Sequence, residues 1–345
     1  MTIENDILLA EPSAVAGLVF RRFRGEGDFP KMAALIQACA DADQVDDATT
    51  PGELANWFAH MTNCDPQKDM LFVEDEASEL IAYCQNYWRR EEATGHYIYV
   101  HTARVSPQWR RRGIGRALLH HMQRRIREVA VAQGHPTDVP RFFHAWAADT
   151  EVAAEKLLRS EGYAPVRYSF EMTRPLVAGE DDLPHFPLPE GFEVRPVRPE
   201  HWHALWEADV EAFRDHWGFT EPTEENYQGW INWKWFRPEL FRVAWDVEKG
   251  EIAGAVENFI NEDENAKYNR KRGYTEGIFV RRPYRKRGLA RALIALSLQM
   301  HKDLGMTEAA LGVDTENLTG ALRVYEACGF RAVKRYTTYR KAIEP

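Results

Sequence analysis

The feature that most restricts this chain is that it carries nearly the same text twice. "VSPQWRRRGIGRALLHHMQRR", Val105–Arg125, and "VRRPYRKRGLARALIALSLQM", Val280–Met300, lie 175 residues apart. Each runs from a valine through a proline, an aromatic residue and a cluster of basic residues to a glycine, then into an apolar helical period. Other pairs keep almost the same spacing. Thr49 and Thr220 open "TTPGELANWF" and "TEPTEENYQGW", and Ile81 and Ile252 open "IAYCQNY" and "IAGAVEN", both at 171, while "SEGYAPV" and "ACGFRAV" lie 167 apart. Small loop changes relate the halves, so one supersecondary plan used twice is expected. A chain of 345 residues with 44% hydrophobic composition can supply two such cores.

Each half begins with a strand pattern, "GLVFRRF" or "GFEVRPV", and a helical region, "MAALIQAC" or "WHALWEADVEAF". The strand patterns "MLFVED", "ELIAYCQNYW" and "YIYVHTARV" recur as "LFRVAWD", "EIAGAVENFI" and "YTEGIFV". A long helix follows in both. Ile114, Leu118, Met122, Ile126 and Val129 form an apolar stripe in the first, and Leu289, Leu293, Leu296, Met300 and Leu304 in the second. The strands "RFFHAWA" and "EAALGVD", a further helix, and the terminal strands "RYSFEMT" and "RYTTYRK" complete the plan. The expected fold is α/β: tandem domains at 1–178 and 192–345, each a mixed sheet flanked by helices. Between them, the acidic, proline-bearing "GEDDLPHFPLPEG" at 179–191 reads as a linker.

Composition narrows the function classes. The formal charge of −9 disfavours general nucleic-acid binding and directs attention to where the basic residues cluster. No run of about 18 apolar residues is present, and the opening "MTIENDILLAEPS" lacks a secretory pattern, so a cytoplasmic protein without a membrane partner is expected. Four cysteines, Cys39, Cys64, Cys84 and Cys328, have neither metal-ligand spacing nor a disulfide framework, and no metal is expected.

The repeated basic turn is the strongest chemical signal. In "RKRGLA", Gly288 allows a close backbone approach, and the helix that begins there leaves its first amides free to face a phosphate. Arg285, Lys286 and Arg287 add local positive charge, as do Arg110, Arg111 and Arg112 before Gly113 in the first half. A solvated turn decorated with arginine is the bland alternative, and repetition weakens it. Neither copy has the phosphate loop ending in Lys and Ser or Thr, nor the three-glycine dinucleotide pattern.

These motifs resemble those of the GNAT superfamily, the acyl-coenzyme-A-dependent N-acetyltransferases. The family's phosphate motif, Arg or Gln, two residues, Gly, one residue, then Gly or Ala, is matched by Arg285, Gly288 and Ala290 and by Arg110, Gly113 and Gly115. The likeness spans nearly the whole chain as two tandem domains and, among tandem members, is distantly similar to bacterial mycothiol synthases. It implies acetyl-CoA as acyl donor, with the pyrophosphate on the amides around Lys286, Arg287, Gly288, Leu289 and Ala290. It also implies that the pantetheine arm runs along a splayed or bulged strand at Phe279 and Val280.

The resemblance further implies that Asn317 lies near the coenzyme arm and Tyr325 near its sulfur, where a hydroxyl can protonate the leaving thiolate. Tyr325 stands three residues after Leu322 and fits an apolar helix face equally well. The first half has Thr150 and Leu158 at the matching places, which implies that it is catalytically degenerate. An ammonium must lose a proton before its nitrogen attacks. Glu276, on the strand leading into the turn, is the first candidate for that base, with His101 at the same offset in the first half; Glu257 on the neighbouring strand is the rival. Asp215, His216 and Trp217 fall where the family builds its acceptor pocket, although the tryptophan-rich stretch around them also reads as a packed helical cap. The expected function is acetyl transfer to a primary amine of a small molecule, chiefly by the second half. A non-catalytic acyl-CoA-binding regulatory or scaffold protein is the alternative.

Overall fold

An N-terminal strand, β1 (Val19–Arg21), enters the first sheet with a buried guanidinium: Arg21 donates to Asp28 at 2.7 Å and to Glu74 at 2.8 Å. Two helices follow, α1 (Phe29–Asp43) and α2 (Pro51–Ala59), the second started by a reciprocal cap between Thr50 and Glu53. After the single turn α3 (Pro66–Asp69) come the antiparallel strands β2 (Met70–Glu74), β3 (Leu80–Arg90) and β4 (Tyr97–Val105). Then α4 (Ile114–Ala132) crosses to β5 (Arg141–Ala148), which pairs parallel with β4, and α5 (Val152–Ser160) leads to β6 (Ala164–Pro175). This computed structural model describes residues 17–176, 183–317 and 320–344.

The second half repeats the order. β7 (Phe192–Arg195), α6 (Trp202–Phe213) and α7 (Glu224–Ile231) precede the antiparallel strands β8 (Arg242–Asp246) and β9 (Glu251–Phe259). The short α8 (Glu262–Lys267) connects to β10 (Arg272–Val280), antiparallel to β9. The long α9 (Leu289–Asp303), the parallel strand β11 (Glu308–Asp314), α10 (Ala321–Ala327) and β12 (Arg331–Ala342) finish it. The expected mixed α/β plan is therefore present in both halves. Of the linker read at 179–191, residues 179–182 lie outside the described residues; Leu183, Phe186 and Leu188 pack on the second core.

The first long helix buries its whole stripe, from Ile114 to Val129. In the second, Leu289, Leu293 and Met300 are buried, but Leu296 is 40% exposed and Leu304 48% exposed. The buried face there includes Ala292, Ile294 and Leu298 together with Ser297 and His301. Ser297 and His301 escaped the apolar count because they are polar residues with a bond inside, Ser297 to Leu293 O at 2.9 Å and His301 Nε2 to Tyr274 O at 3.2 Å.

Compactness divides the chain differently from the repeat. One unit is Met1–Val166 with Thr337–Pro345, and the other is Arg167–Tyr336. The first sheet, β1-β2-β3-β4-β5, is thus completed by the end of β12, where the Ile343 amide donates to Arg141 O at 2.8 Å. The second sheet is β7-β8-β9-β10-β11 with β6, whose Ser169 to Pro175 run antiparallel to Asp314 to Glu308. A strand's own pattern shows which residues it buries but not which neighbour it takes.

Tyr339 is 2% exposed and belongs to the core that contains Leu118, Ile126 and Phe143. Tyr339→Ala is expected to cost about 3–5 kcal/mol, the usual range for removing a buried aromatic side chain. Hydrogen exchange should show lost protection in α4 and β5 while α9 and β11 keep theirs. The opposite pattern would contradict this assignment of the C-terminal strand.

Candidate active site

The arginine of each basic turn is spent on holding the turn. Arg285 donates Nε to Val280 O at 3.0 Å, Nη1 to Asp215 at 2.9 Å and Nη2 to Ala212 O at 2.9 Å. Arg110 does the same work in the first unit, with Nε on Val105 O at 3.1 Å and a fork on Asp43 at 2.6 and 2.8 Å. Each ties the end of a strand to the end of the first long helix of its unit. Asp215 also accepts from Arg282, and these two arginines hold its carboxylate down at about 2. Asp43 was not singled out from the sequence, although the repeat sets it 172 residues before Asp215, within one residue of the spacing at Thr49 and Thr220.

Beyond the arginine the backbone makes a cradle. Lys286 and Gly288 have φ of 64° and 88°, and Arg111 and Gly113 have 65° and 85°. The carbonyl of Gly288 is first taken up by the amide of Ala292, and that of Gly113 by Ala117. The amides ahead of them therefore lack helical acceptors and are free to meet an anion. No atom lies within 4 Å of where a Cβ would stand on Gly113 or Gly288, so the space over each turn is open.

Next to the turn the strands part. β10 and β11 pair at Arg272–Glu308, Gly273–Ala309 and Tyr274–Ala310, and β4 and β5 pair from Tyr97–Arg141 to Val100–His144. A cleft of about 940 Å³ opens there in the second unit, lined in part by Gly277, Phe279, Val280, Asn317 and Tyr325. The first unit has one of about 530 Å³. In the second, side chains of β10 replace the missing ladder: Thr275 donates to Ala310 O at 3.2 Å, and the Gly312 amide donates to Glu276 at 2.8 Å.

Only in the second unit is the strand also bulged, with a register shift between Glu276 and Phe279 and Gly277 at φ 52°, whereas β3 and β4 pair without a break from Ala82–Val105 to Arg90–Tyr97. The bulge decides which way Glu276 looks. Asn258 donates to Ser297 of α9, so Asn258 and its partner Thr275 face that helix. Glu257 accepts from Trp230 of α7, so Glu257 and its partner Glu276 face the other side. In the first unit, His101 shares a 2.7 Å hydrogen bond with Tyr163, which also accepts from Gln123 of α4, the counterpart of α9. Counting nine residues back from each motif arginine thus reaches opposite faces of the two sheets. His101 is buried, and burial pushes its pKa down to about 3.

The electrostatics separate the remaining candidates. Burial raises Glu276 to about 7 despite the Gly312 amide, and the Glu171 carboxylate adds to the rise. Burial, then the Glu276 carboxylate, pushes the Tyr325 hydroxyl upward, so at neutral pH it remains an O–H donor. Glu257 is raised well above its ordinary value by burial and then by Asp209, and Asp209 itself is raised to about 7 by burial. His216 lies 4.2 Å from the Phe213 ring and is lowered chiefly by burial, while Trp217 is 38% exposed beneath the Arg167 guanidinium. Asp215, His216, Glu276, Asn317 and Tyr325 line one cleft; Glu257 is not part of that lining and packs on Gly277, which is. In the first unit Leu158 lines the cleft, and Thr150 has a buried hydroxyl.

A phosphate-ready turn directly after a parted parallel strand pair occurs twice, and residues 32–135 and 202–330 both match the acetyltransferase (GNAT) family. The chain belongs to that family. A mycothiol acetyltransferase of Thermobifida fusca (strain YX) is 28% identical over 329 residues, covering 90% of this chain and 94% of the relative. A GCN5-related N-acetyltransferase from Sphaerobacter thermophilus superposes with a TM-score of 0.70 at 26% identity, covering 96% of this chain and 97% of that one. The tandem GNAT protein from the clavulanic acid biosynthesis pathway shares the fold alone, with a TM-score of 0.63 at 15% identity over 95% and 99% of the two chains. Among the described residues no three His, Cys, Asp or Glu side chains are grouped to hold a metal, and no helix is long and apolar enough to cross a membrane.

If the cradle binds phosphate through its amides, backbone geometry must matter more than any one side-chain charge. Gly288→Val places a β-branched residue at φ 88°. By calorimetry it should weaken acetyl-CoA binding more than Lys286→Ala does. An unchanged affinity in folded Gly288→Val protein, checked by circular dichroism, would rule the cradle out.

Proposed function

We propose that this GNAT protein transfers an acetyl group from acetyl-CoA to a primary amine of a small molecule, with the chemistry in the second unit. The observation that carries the reading is that Glu276 and Tyr325 line the same cleft as the second basic turn, whereas in the first cleft Leu158 stands where the repeat puts Tyr325 in the second, and the lining His101 has its ring nitrogen bonded to Tyr163. The open space over Gly288, the unpaired amides behind it and the parted strands beside Phe279 and Val280 fit the coenzyme. Lys286 to Ala290 would hold its pyrophosphate, and Phe279, Val280 and Asn317 its arm. When bound, it supplies the thioester carbonyl.

The chain's own groups then divide the proton traffic. Glu276 takes the proton of the ammonium, and its raised pKa near 7 makes it basic enough to do so while still ionised in part at neutral pH. Tyr325, kept protonated, gives its proton to the sulfur as the carbon–sulfur bond breaks. Glu257 stays as the rival base, one strand away. The first unit retains the turn and a cleft but not the hydroxyl, which favours coenzyme binding without turnover there.

The sign of the pH effect follows. Below about 7 Glu276 is protonated and cannot accept, so the pre-steady-state amide-forming rate should rise with pH through that value. Glu276→Gln should lose this limb and about two to four powers of ten in rate. Tyr325→Phe should slow free-thiol formation with little change in acetyl-CoA affinity. Full wild-type rates in both folded variants would remove both roles, and loss of the limb in Glu257→Gln alone would move the base to β9.

A further inference from the structure

Tyr325 is carried by α10, a helix of 7 residues, too short to hold its shape without help at its ends. Gly320 precedes it at φ 73° and has no side chain to cap it. The other end is closed by the chain itself. The Phe330 amide donates to Tyr325 O and the Gly329 amide to Glu326 O, both at 3.0 Å, with Gly329 at φ 89°. This is the Schellman arrangement, in which the residue three before the cap accepts the outer bond, and here that residue is Tyr325. The cap residue Cys328 and Phe330 are fully buried in one core with it.

The carbonyl of Cys328 lies outside this pattern, and a buried guanidinium takes it. Arg174, 7% exposed, donates Nη1 to Cys328 O at 2.7 Å. It comes from β6, where it stands opposite the small Ala309; two residues before it, Met172 stands opposite Leu311 in the core that holds Tyr325. A Cβ on Gly329 would overlap Nη1 and stand 2.7 Å from Cζ. Gly329 therefore serves twice, for its left-handed backbone and for the room it leaves. A cation at this end of a helix is favoured by the partial negative charge of the last carbonyls.

In the first unit α5 closes in the same way and then departs. The Tyr163 amide donates to Leu158 O at 3.0 Å and that of Gly162 to Arg159 O at 3.1 Å, with Gly162 at φ 81°. Over Gly162 stands only the stem of Lys341, its Cε 3.8 Å from a Cβ position, and among the described residues no side chain donates to the Glu161 carbonyl. The guanidinium thus accompanies the helix that carries a tyrosine and is missing from the one that carries Leu158.

We propose that Arg174 is a positioning residue for the reaction of the second unit: by fixing the Cys328 carbonyl it holds the closing turn of α10 and keeps the Tyr325 hydroxyl at one place in the cleft. This deepens the proposed function and rests on the role given there to Tyr325. Arg174 is not part of the cleft lining and acts through Tyr325. Because it precedes the linker in sequence, a chain cut at the linker would separate the tyrosine from the residue that places it.

The test uses the full-length protein with saturating acetyl-CoA and butylamine, ethanolamine and glucosamine as acceptors, following free thiol before steady state. Arg174→Met should slow thiol release by on the order of ten- to a hundredfold, since a misplacement of about 1 Å can cost about a hundredfold. Acetyl-CoA affinity and the pH limb of Glu276 should stay as in the wild type, and Arg174→Lys should recover most of the rate. Gly329→Ala, which displaces the guanidinium without removing its charge, should share the defect and carries the comparison if Arg174→Met does not fold. In a Tyr325→Phe background Arg174→Met should add nothing further, which separates positioning from general loosening. Independently of turnover, 3-fluorotyrosine placed at 325 should give one sharp fluorine resonance, broadened or split by Arg174→Met. A wild-type rate in folded Arg174→Met, or an equal loss in both backgrounds, would overturn the assignment and leave acetyl transfer standing. A wild-type rate in Tyr325→Phe would remove the role of Tyr325 and the assignment with it. Failure to acetylate any of the amines while acetyl-CoA binds would sink the proposed function and, with it, this inference.

Discussion

Everything in the second unit that bears on chemistry depends on two parallel strands that stop pairing. After Tyr274 and Ala310 the ladder between β10 and β11 ends, although both strands continue. A buried strand edge left open in this way exposes backbone donors and acceptors, which must find partners. Thr275 and Glu276 take two of them, and on the proposed function an extended amide-bearing arm would take others by adding to the sheet. The parting also sets the phosphate turn at one end of that edge, because β10 runs straight into it.

The turn is held in register by charge on the inside. Arg285 binds a strand carbonyl, a helix-end carbonyl and Asp215, and so joins the end of β10 to the end of α6. Arg110 repeats this with Val105 and Asp43. The two units therefore keep the same scaffold for a polyanion and diverge in what stands beside it. A single bulge in β10 rotates Glu276 onto the face lined by α6 and α7, whereas the unbroken β4 leaves His101 in the α4 core. The two clefts thus differ through one inserted backbone residue as much as through the exchange of Tyr325 for Leu158.

Much of this was legible in the sequence, and the misses share a cause. Repetition, strand patterns and the turn are local properties of the text, and the mixed sheets follow from them. The isolated Gly277 within "YTEGIFV" was the visible trace of the bulge. Its consequence, that Glu276 and His101 face opposite ways, depends on cross-strand register and could not be reached by counting from the arginine. The exchange of terminal strands between sheets is likewise a choice of neighbour, and "RYSFEMT" and "RYTTYRK" read the same whichever sheet they join.

The arginine anchors also change the meaning of the basic run that marks the site. Five basic residues precede Gly288, but Arg285 and Arg282 bind Asp215, Arg281 reaches Glu211 at 2.7 Å, and Arg287 donates to Glu190 O while stacking over Phe192 at 4.4 Å. Lys286 is the one side chain of the run for which the described residues supply no such partner. Most of the charge in the run is therefore structural, and on the proposed function the attraction for a pyrophosphate would fall to the amides and the helix end behind Gly288. On the proposed function, that division would let a chain of net charge −9 hold a polyanion at such a turn. A cradle of this kind would act at hydrogen-bond range, where oriented N–H groups select phosphate oxygens, and would owe little to the long-range field.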